Sequence, residues 1–143
     1  MEQNTDSKIP AYLKEYWKNE SLQLSNLEKL GAASLSFGYA NYIRAAQLDI
    51  LDILKMNNTG LNPSSITVFG QRFVLLGYII LFYVSSKRLN QRSLIISEAR
   101  ESIDLTPFKD VQLSYLISVY ANALRLNAFI EIDNSDPSGE LIQ

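Results

Sequence analysis

Three arginines are the residues best placed to do chemistry. Arg44, Arg72 and Arg125 each stand at one edge of an otherwise uncharged stretch, and Asn41 and Asn122 precede Arg44 and Arg125 by three residues. A guanidinium offers five donors in a planar fork suited to carboxylates and phosphates. Brought together, the three would bind an anion, or pair with Asp49, Asp52 or Glu131 inside a helical bundle. Kept apart, they are surface or interfacial charges. The two asparagines would complete a polar layer between helices, a device that specifies packing when all its groups are satisfied.

Other candidate chemistry is thin. Asp49 and Asp52 are three residues apart, as are Glu98 and Glu101, so each pair shares a helix face. One pair supplies too few oxygens for a divalent cation, and no second acidic motif completes a site. The plainer reading is solvated helix surface, with Asp49 and Asp52 beside Lys55. The chain has no histidine and no cysteine, which removes the commonest general base, thiol nucleophiles, disulfides and zinc or iron–sulfur ligation. Asn57-Asn58-Thr59 matches a glycosylation sequon, a pattern short enough to arise by chance. No glycine-rich phosphate loop is present. The expectation is a non-enzymatic protein with no catalytic residue, no metal and no cofactor. A net charge of −2 gives no bulk attraction to nucleic acid.

The elements that would carry these residues are helical. Tyr12, Leu13, Tyr16 and Trp17 recur at helical spacing after Pro10, with lysines interleaved, and describe an amphipathic N-terminal helix that weakens across residues 19–25. Ser25 and Glu28 have the spacing of a capping box, placing the start of a second helix at about Asn26 and its end near Asn57, with Gly60 as its stop. Asn62 followed by Pro63 opens a third helix, running to about Arg92 or further, and Thr106 followed by Pro107 opens a fourth that ends near Glu131. The fold expected is all-α: one domain over residues 1–143, an antiparallel up-down-up bundle of three long helices plus the N-terminal amphipathic helix, with residues 1–8 and 133–143 frayed.

The three long helices share a layout. Residues 30–43, 73–86 and 111–124 are uncharged runs of 14 residues. Each is roughly 21 Å of helix at about 1.5 Å per residue. Admitting the one arginine extends them to 30–48, 66–86 and 111–130. In an up-down-up arrangement Arg44, Arg72 and Arg125 lie toward one end, with Lys55, while the other nine basic residues lie toward the end holding the N-terminus. That asymmetry is the one shown by membrane proteins whose N-terminus is cytoplasmic. Small residues form stripes along the same helices: Gly31, Ser34, Gly38, Asn41 and Ala45, then Gly70 and Gly77, then Ser114, Ser118, Ala121 and Ala128. Such stripes let helix backbones approach closely.

Two readings stay open. In the first, the helices are embedded in or bound to the cytoplasmic membrane, and the protein acts through helix–helix contacts with itself or a protein partner. Residues 73–84 are the most apolar segment, Arg72, Lys87 and Arg88 can reach the interfaces, and charged residues make up only 20% of the chain. In the second, the same segment is the central helix of a soluble, oligomeric cytoplasmic bundle serving as an adaptor or assembly subunit. Runs of 14 residues are short for about 30 Å of hydrocarbon. Asn41, Arg44, Gln47, Gln112, Asn122, Arg125 and Asn127 are costly in lipid unless they face inward. The polar opening of the chain has no basic stretch followed by an apolar one, so a cleaved secretion signal is not expected.

Overall fold

A computed structural model describes residues 9–99 and 102–135. They form three α-helices: α1 (Ala11–Ile53), α2 (Pro63–Ala99) and α3 (Thr106–Ser135), with no strand among the described residues. α2 is the central element. It packs along α1 on one side and α3 on the other, whereas α1 and α3 barely meet.

The break expected over residues 19–25 does not occur; the aromatic segment and the following helix are one 43-residue helix. Tertiary contacts outweigh the weak local propensity there. Leu24 is buried, the Gln91 amide donates to Glu20 at 2.6 Å, and Arg88 donates to Ser25 Oγ at 3.3 Å and Glu28 at 2.7 Å. Ser25 and Glu28 therefore do not cap a helix start. They lie one turn apart on a helix interior and hold an arginine of α2.

The helix ends follow local chemistry. Pro10 precedes α1, and its carbonyl accepts from Leu13 and Lys14. Asn62 Oδ1 accepts from the Ser64 amide at 2.9 Å, and Pro63 opens α2. At α3 the capping oxygen belongs to Asp104, which accepts from the Thr106 amide at 2.9 Å. That bond holds the Asp104 carboxyl below its ordinary range. α1 stops at Ile53, earlier than expected, and Gly60 is not its terminator. Lys55 takes a left-handed φ of 54°, the Lys55 amide bonds to Asp52 O and the Met56 amide to Leu51 O. This is a Schellman ending with lysine where glycine is usual.

Contacts between α1 and α2 pair in reversed order along the chain: Glu20 with Gln91, Glu28 with Arg88, Gly31 with Gly77 and Leu81, Gly38 with Gly70 and Val74. Between α2 and α3, Ser64 and Ser65 meet Asp133, Gln71 meets Asn122, Ser86 meets Gln112 and Arg92 meets Phe108. Asp133, the first residue of the tail expected to fray, lies within α3. The expected fraying of residues 1–8, and of the rest of the tail from 136 on, lies outside the described residues.

The core is a thin seam. Its buried apolar side chains include Leu24, Leu48, Val68, Val74, Leu81 and Val84, all on α1 or α2. Only Asn122 is buried on α3, so that helix is held by one flank. The four glycines make the α1–α2 seam tight. A Cβ placed on Gly38 would stand 2.6 Å from Val74 Cγ2 and 2.7 Å from Gly70 O, and one on Gly77 would stand 2.8 Å from Gly31 O. Without Cβ atoms, the two backbones come into direct contact.

Candidate functional site

One polar node ties the three helices together, and it is centred on Gln71. Its amide is fully buried, at 0% exposure, in the first third of α2 beside Arg72. From α1, the Tyr42 hydroxyl donates to Gln71 Oε1. Toward α3, Gln71 Nε2 donates to the backbone oxygen of Asn122 at 2.9 Å and to Asn122 Oδ1 at 3.0 Å. Asn122 Nδ2 donates back to Ser118 O at 2.8 Å, and Arg125 Nη1 donates to Asn122 Oδ1 at 3.1 Å. Every polar end of the two carboxamides is satisfied, as burial demands; an orphaned group there costs about 1–3 kcal/mol.

Aromatic rings flank the node. Tyr42 meets Phe129 edge-on at 6.2 Å and Tyr39 at 5.8 Å, and Tyr78 lies 6.5 Å from Tyr115. Phe37, Phe69 and Phe73 form a separate edge-to-face trio, the closest pair 4.7 Å apart.

The candidate residues divide between the node and the surface. Asn122 and Arg125 enter the node. Asn41 does not: its amide bonds to Phe37 O within α1 at 2.8 Å, while its Cβ lines the close approach at Gly70. Arg44 and Arg72 are exposed and make no hydrogen bond or ion pair among the described residues, so no bond draws the three arginines together. Of the packing candidates, Gly38, Gly70 and Gly77 lie in the α1–α2 seam, where Ser34 is also buried. Ser118 accepts the Asn122 amide through its carbonyl, and Ala121 is exposed. Gln71 was no sequence candidate. The signal was there, since it is the only carboxamide in residues 66–86.

Polar contacts also mark the two ends of the bundle. At the end where Glu28 meets Arg88, that arginine joins Glu28 and Ser25, and two open grooves lie nearby. A groove of about 370 Å³ is lined by Tyr16, Glu20, Tyr83 and Lys87, and one of about 180 Å³ by Trp17, Arg88, Arg92 and Phe108. At the opposite end Ser64 and Ser65 donate to Asp133 at 2.7 and 2.8 Å. Asp49 and Asp52 gain no further ligand, since no group of three acidic side chains able to hold a metal exists among the described residues. Glu101, the partner of Glu98 in the other acidic pair, lies outside them. In the loop, Asn57 is engaged with Thr59 and Leu61.

Set against known proteins, the chain matches no family model, no curated protein and no solved structure.

Proposed function

We propose that this chain is a small membrane-embedded helical protein that works through helix–helix contacts with itself or with a partner protein, and not through catalysis. The observation that carries this reading is the apolar belt. Between the charges that bound the uncharged runs, large apolar side chains face outward on all three helices. They include Leu30, Phe37 and Ile43 on α1, Leu76 and Ile79 on α2, and Leu113, Leu116, Ile117 and Leu124 on α3. Left in water, such surface forgoes about 25 cal/mol per Å² of the gain from burial, so lipid or protein must cover a face this extensive. α2 is, among the described residues, the one helix long and apolar enough by composition to cross a membrane. The costly carboxamides Gln71 and Asn122 face inward, where a bilayer protein needs them.

The finer arrangement follows the same reading. The reversed order of contacts along α1 and α2, and along α2 and α3, supports an up-down-up path. On that path nine basic residues share the end that holds the N-terminus and four the other, which favours a cytoplasmic N-terminus. The aromatic, lysine-bearing stretch from Tyr12 to Trp17 is then the amphipathic leading part of α1, at the level of the interface.

Flotation of the full chain with lipid vesicles, followed by an alkaline wash, tests the reading. Retention in the vesicle fraction with release only by detergent is expected. A monodisperse protein purified without detergent would overturn it. That outcome belongs to the second reading, a soluble oligomeric bundle, which is favoured by one fact: α1 and α3 fall short of the span composition that α2 reaches.

A further inference from the structure

Arg125 is a cation turned toward the middle of the apolar belt, with no carboxylate among the described residues to meet it. On α3, residues 111–130 carry no other charge, and Glu131 and Asp133 mark the near boundary. Arg125 stands six residues before Glu131, roughly 9 Å along the helix, and 14 residues after Val111, roughly 21 Å. A helical side chain leans toward the N-terminus of its own helix. For α3 that direction leads away from the Glu131 boundary and into the belt. The guanidinium follows this lean, since its bond goes to Asn122 Oδ1, one turn back. Arg72 has the opposite geometry: it sits near the start of α2, so the same lean carries it outward to the interface. Arg44 makes no bond that fixes its direction.

Asn122 and the nearby Tyr42 hydroxyl stabilise the guanidinium but do not neutralise it, and Arg125 forms no ion pair among the described residues. Asn122 occupies one of its five donors, and the residue is exposed on a flank where Ile117, Tyr120 and Leu124 also face outward. A cation at this depth calls for an anion at this depth. A lipid phosphate lies outside the hydrocarbon and would draw the side chain toward Glu131, against the direction it takes.

We infer that Arg125 is the docking point for a partner membrane helix carrying a single Asp or Glu, which lies along the exposed flank of α3 and pairs its carboxylate with the free edge of the guanidinium. The inference rests on the membrane reading above. The α3 flank supplies apolar contact, Ala121 and Ala128 one turn to either side leave room for an approaching helix, and the ion pair sets register and partner choice.

The experiment uses the full chain reconstituted in phosphatidylcholine vesicles, with a labelled Leu/Ala membrane-spanning peptide bearing one Glu at the depth of Arg125, and an otherwise identical Gln peptide. Energy transfer reads association. The Glu peptide should associate at least about tenfold more tightly than the Gln peptide. Arg125→Gln should erase that preference, Arg125→Lys should retain part of it, and Arg72→Gln should leave it unchanged. Equal association of both peptides, or a Glu preference that survives Arg125→Gln, overturns the proposal. So does loss of the preference on adding phosphatidylglycerol at constant salt, which assigns Arg125 to lipid phosphate. Circular dichroism of each variant separates misfolding from lost pairing. Co-flotation of the chain with the vesicles is read first, so that a failure of membrane insertion is distinct from a failure of docking.

Discussion

Gly38 and Gly70 face each other so closely that a Cβ on either would lie 2.7 Å from the carbonyl oxygen of the other. Seven residues along each helix, Gly31 and Gly77 repeat the relationship more loosely, with 3.2 Å and 2.8 Å to the opposing oxygen. The α1–α2 contact is thus backbone against backbone at two levels, and Val74 and Leu81 close the spaces around them. α3 has no such contact and is held through carboxamides and rings. The bundle is tight on one side of α2 and polar on the other.

Alanine substitutions should rank by what the new methyl meets. At Gly38 and Gly70 it meets backbone, which yields only if the helices part, so Gly38→Ala and Gly70→Ala should each cost about 1–3 kcal/mol. At Gly31 the nearest atom is the flexible Leu81 side chain at 3.0 Å. The gain in helix propensity of up to about 1 kcal/mol then offsets the crowding, and Gly31→Ala should be nearly neutral. Thermal unfolding followed by circular dichroism, in the detergent or buffer that keeps the protein monodisperse, reads the order. Equal small effects at all three positions would mean that the helices are farther apart than described.

Gln71 should behave as a shared node. Replacing it with leucine leaves the Tyr42 hydroxyl without its acceptor and Asn122 without the Gln71 donor, a loss of about 1–3 kcal/mol. Tyr42→Phe alone orphans Gln71 Oε1 and takes a partner from Arg125, whereas in the Gln71→Leu background only the second loss remains and the substitution should cost less. A double-mutant cycle on unfolding free energies measures that difference; additive effects would remove the Tyr42–Gln71 bond from the node.

How much of this was readable beforehand differs from residue to residue. The small-residue faces of α1 and α2 were visible in their 3-4 spacing, because a helical period places them by geometry alone. Which face meets which was not, since each helix carries more than one apolar face. The start of α2 at Asn62 and Pro63 was legible because a side-chain oxygen and a missing amide act within one turn. Ser25 and Glu28 misled for a related reason: serine three residues before glutamate suits a helix start, but the same spacing puts both on one face of a continuing helix, and only the position of Arg88 decides between them. The level of the arginines overstated their kinship. Arg44, Arg72 and Arg125 are all exposed, and Arg125 alone of the three makes a bond, to Asn122 one turn before it. Gln71 leaves no mark on the charge pattern, although the lone carboxamide of residues 66–86 needs a buried partner more than a flanking arginine does.

The end of α1 offers the most local prediction. Lys55 occupies the left-handed position of the Schellman turn at φ 54°, where a Cβ crowds the following carbonyl at a cost of about 1–2 kcal/mol. Lys55→Gly relieves that strain but also removes a cation near Asp49 and Asp52, so Lys55→Ala serves as the control, losing the same charge while keeping a Cβ. The glycine variant should exceed the alanine variant in stability by about 1 kcal/mol, with lysine close to alanine, because ion pairs on an exposed helix end are worth little. The Lys55 and Met56 amides should also exchange more slowly with deuterium in the glycine variant, since their bonds to Asp52 and Leu51 depend on the same backbone conformation. A glycine variant no more stable than alanine, with unchanged exchange at Met56, would mean that α1 ends without the left-handed turn.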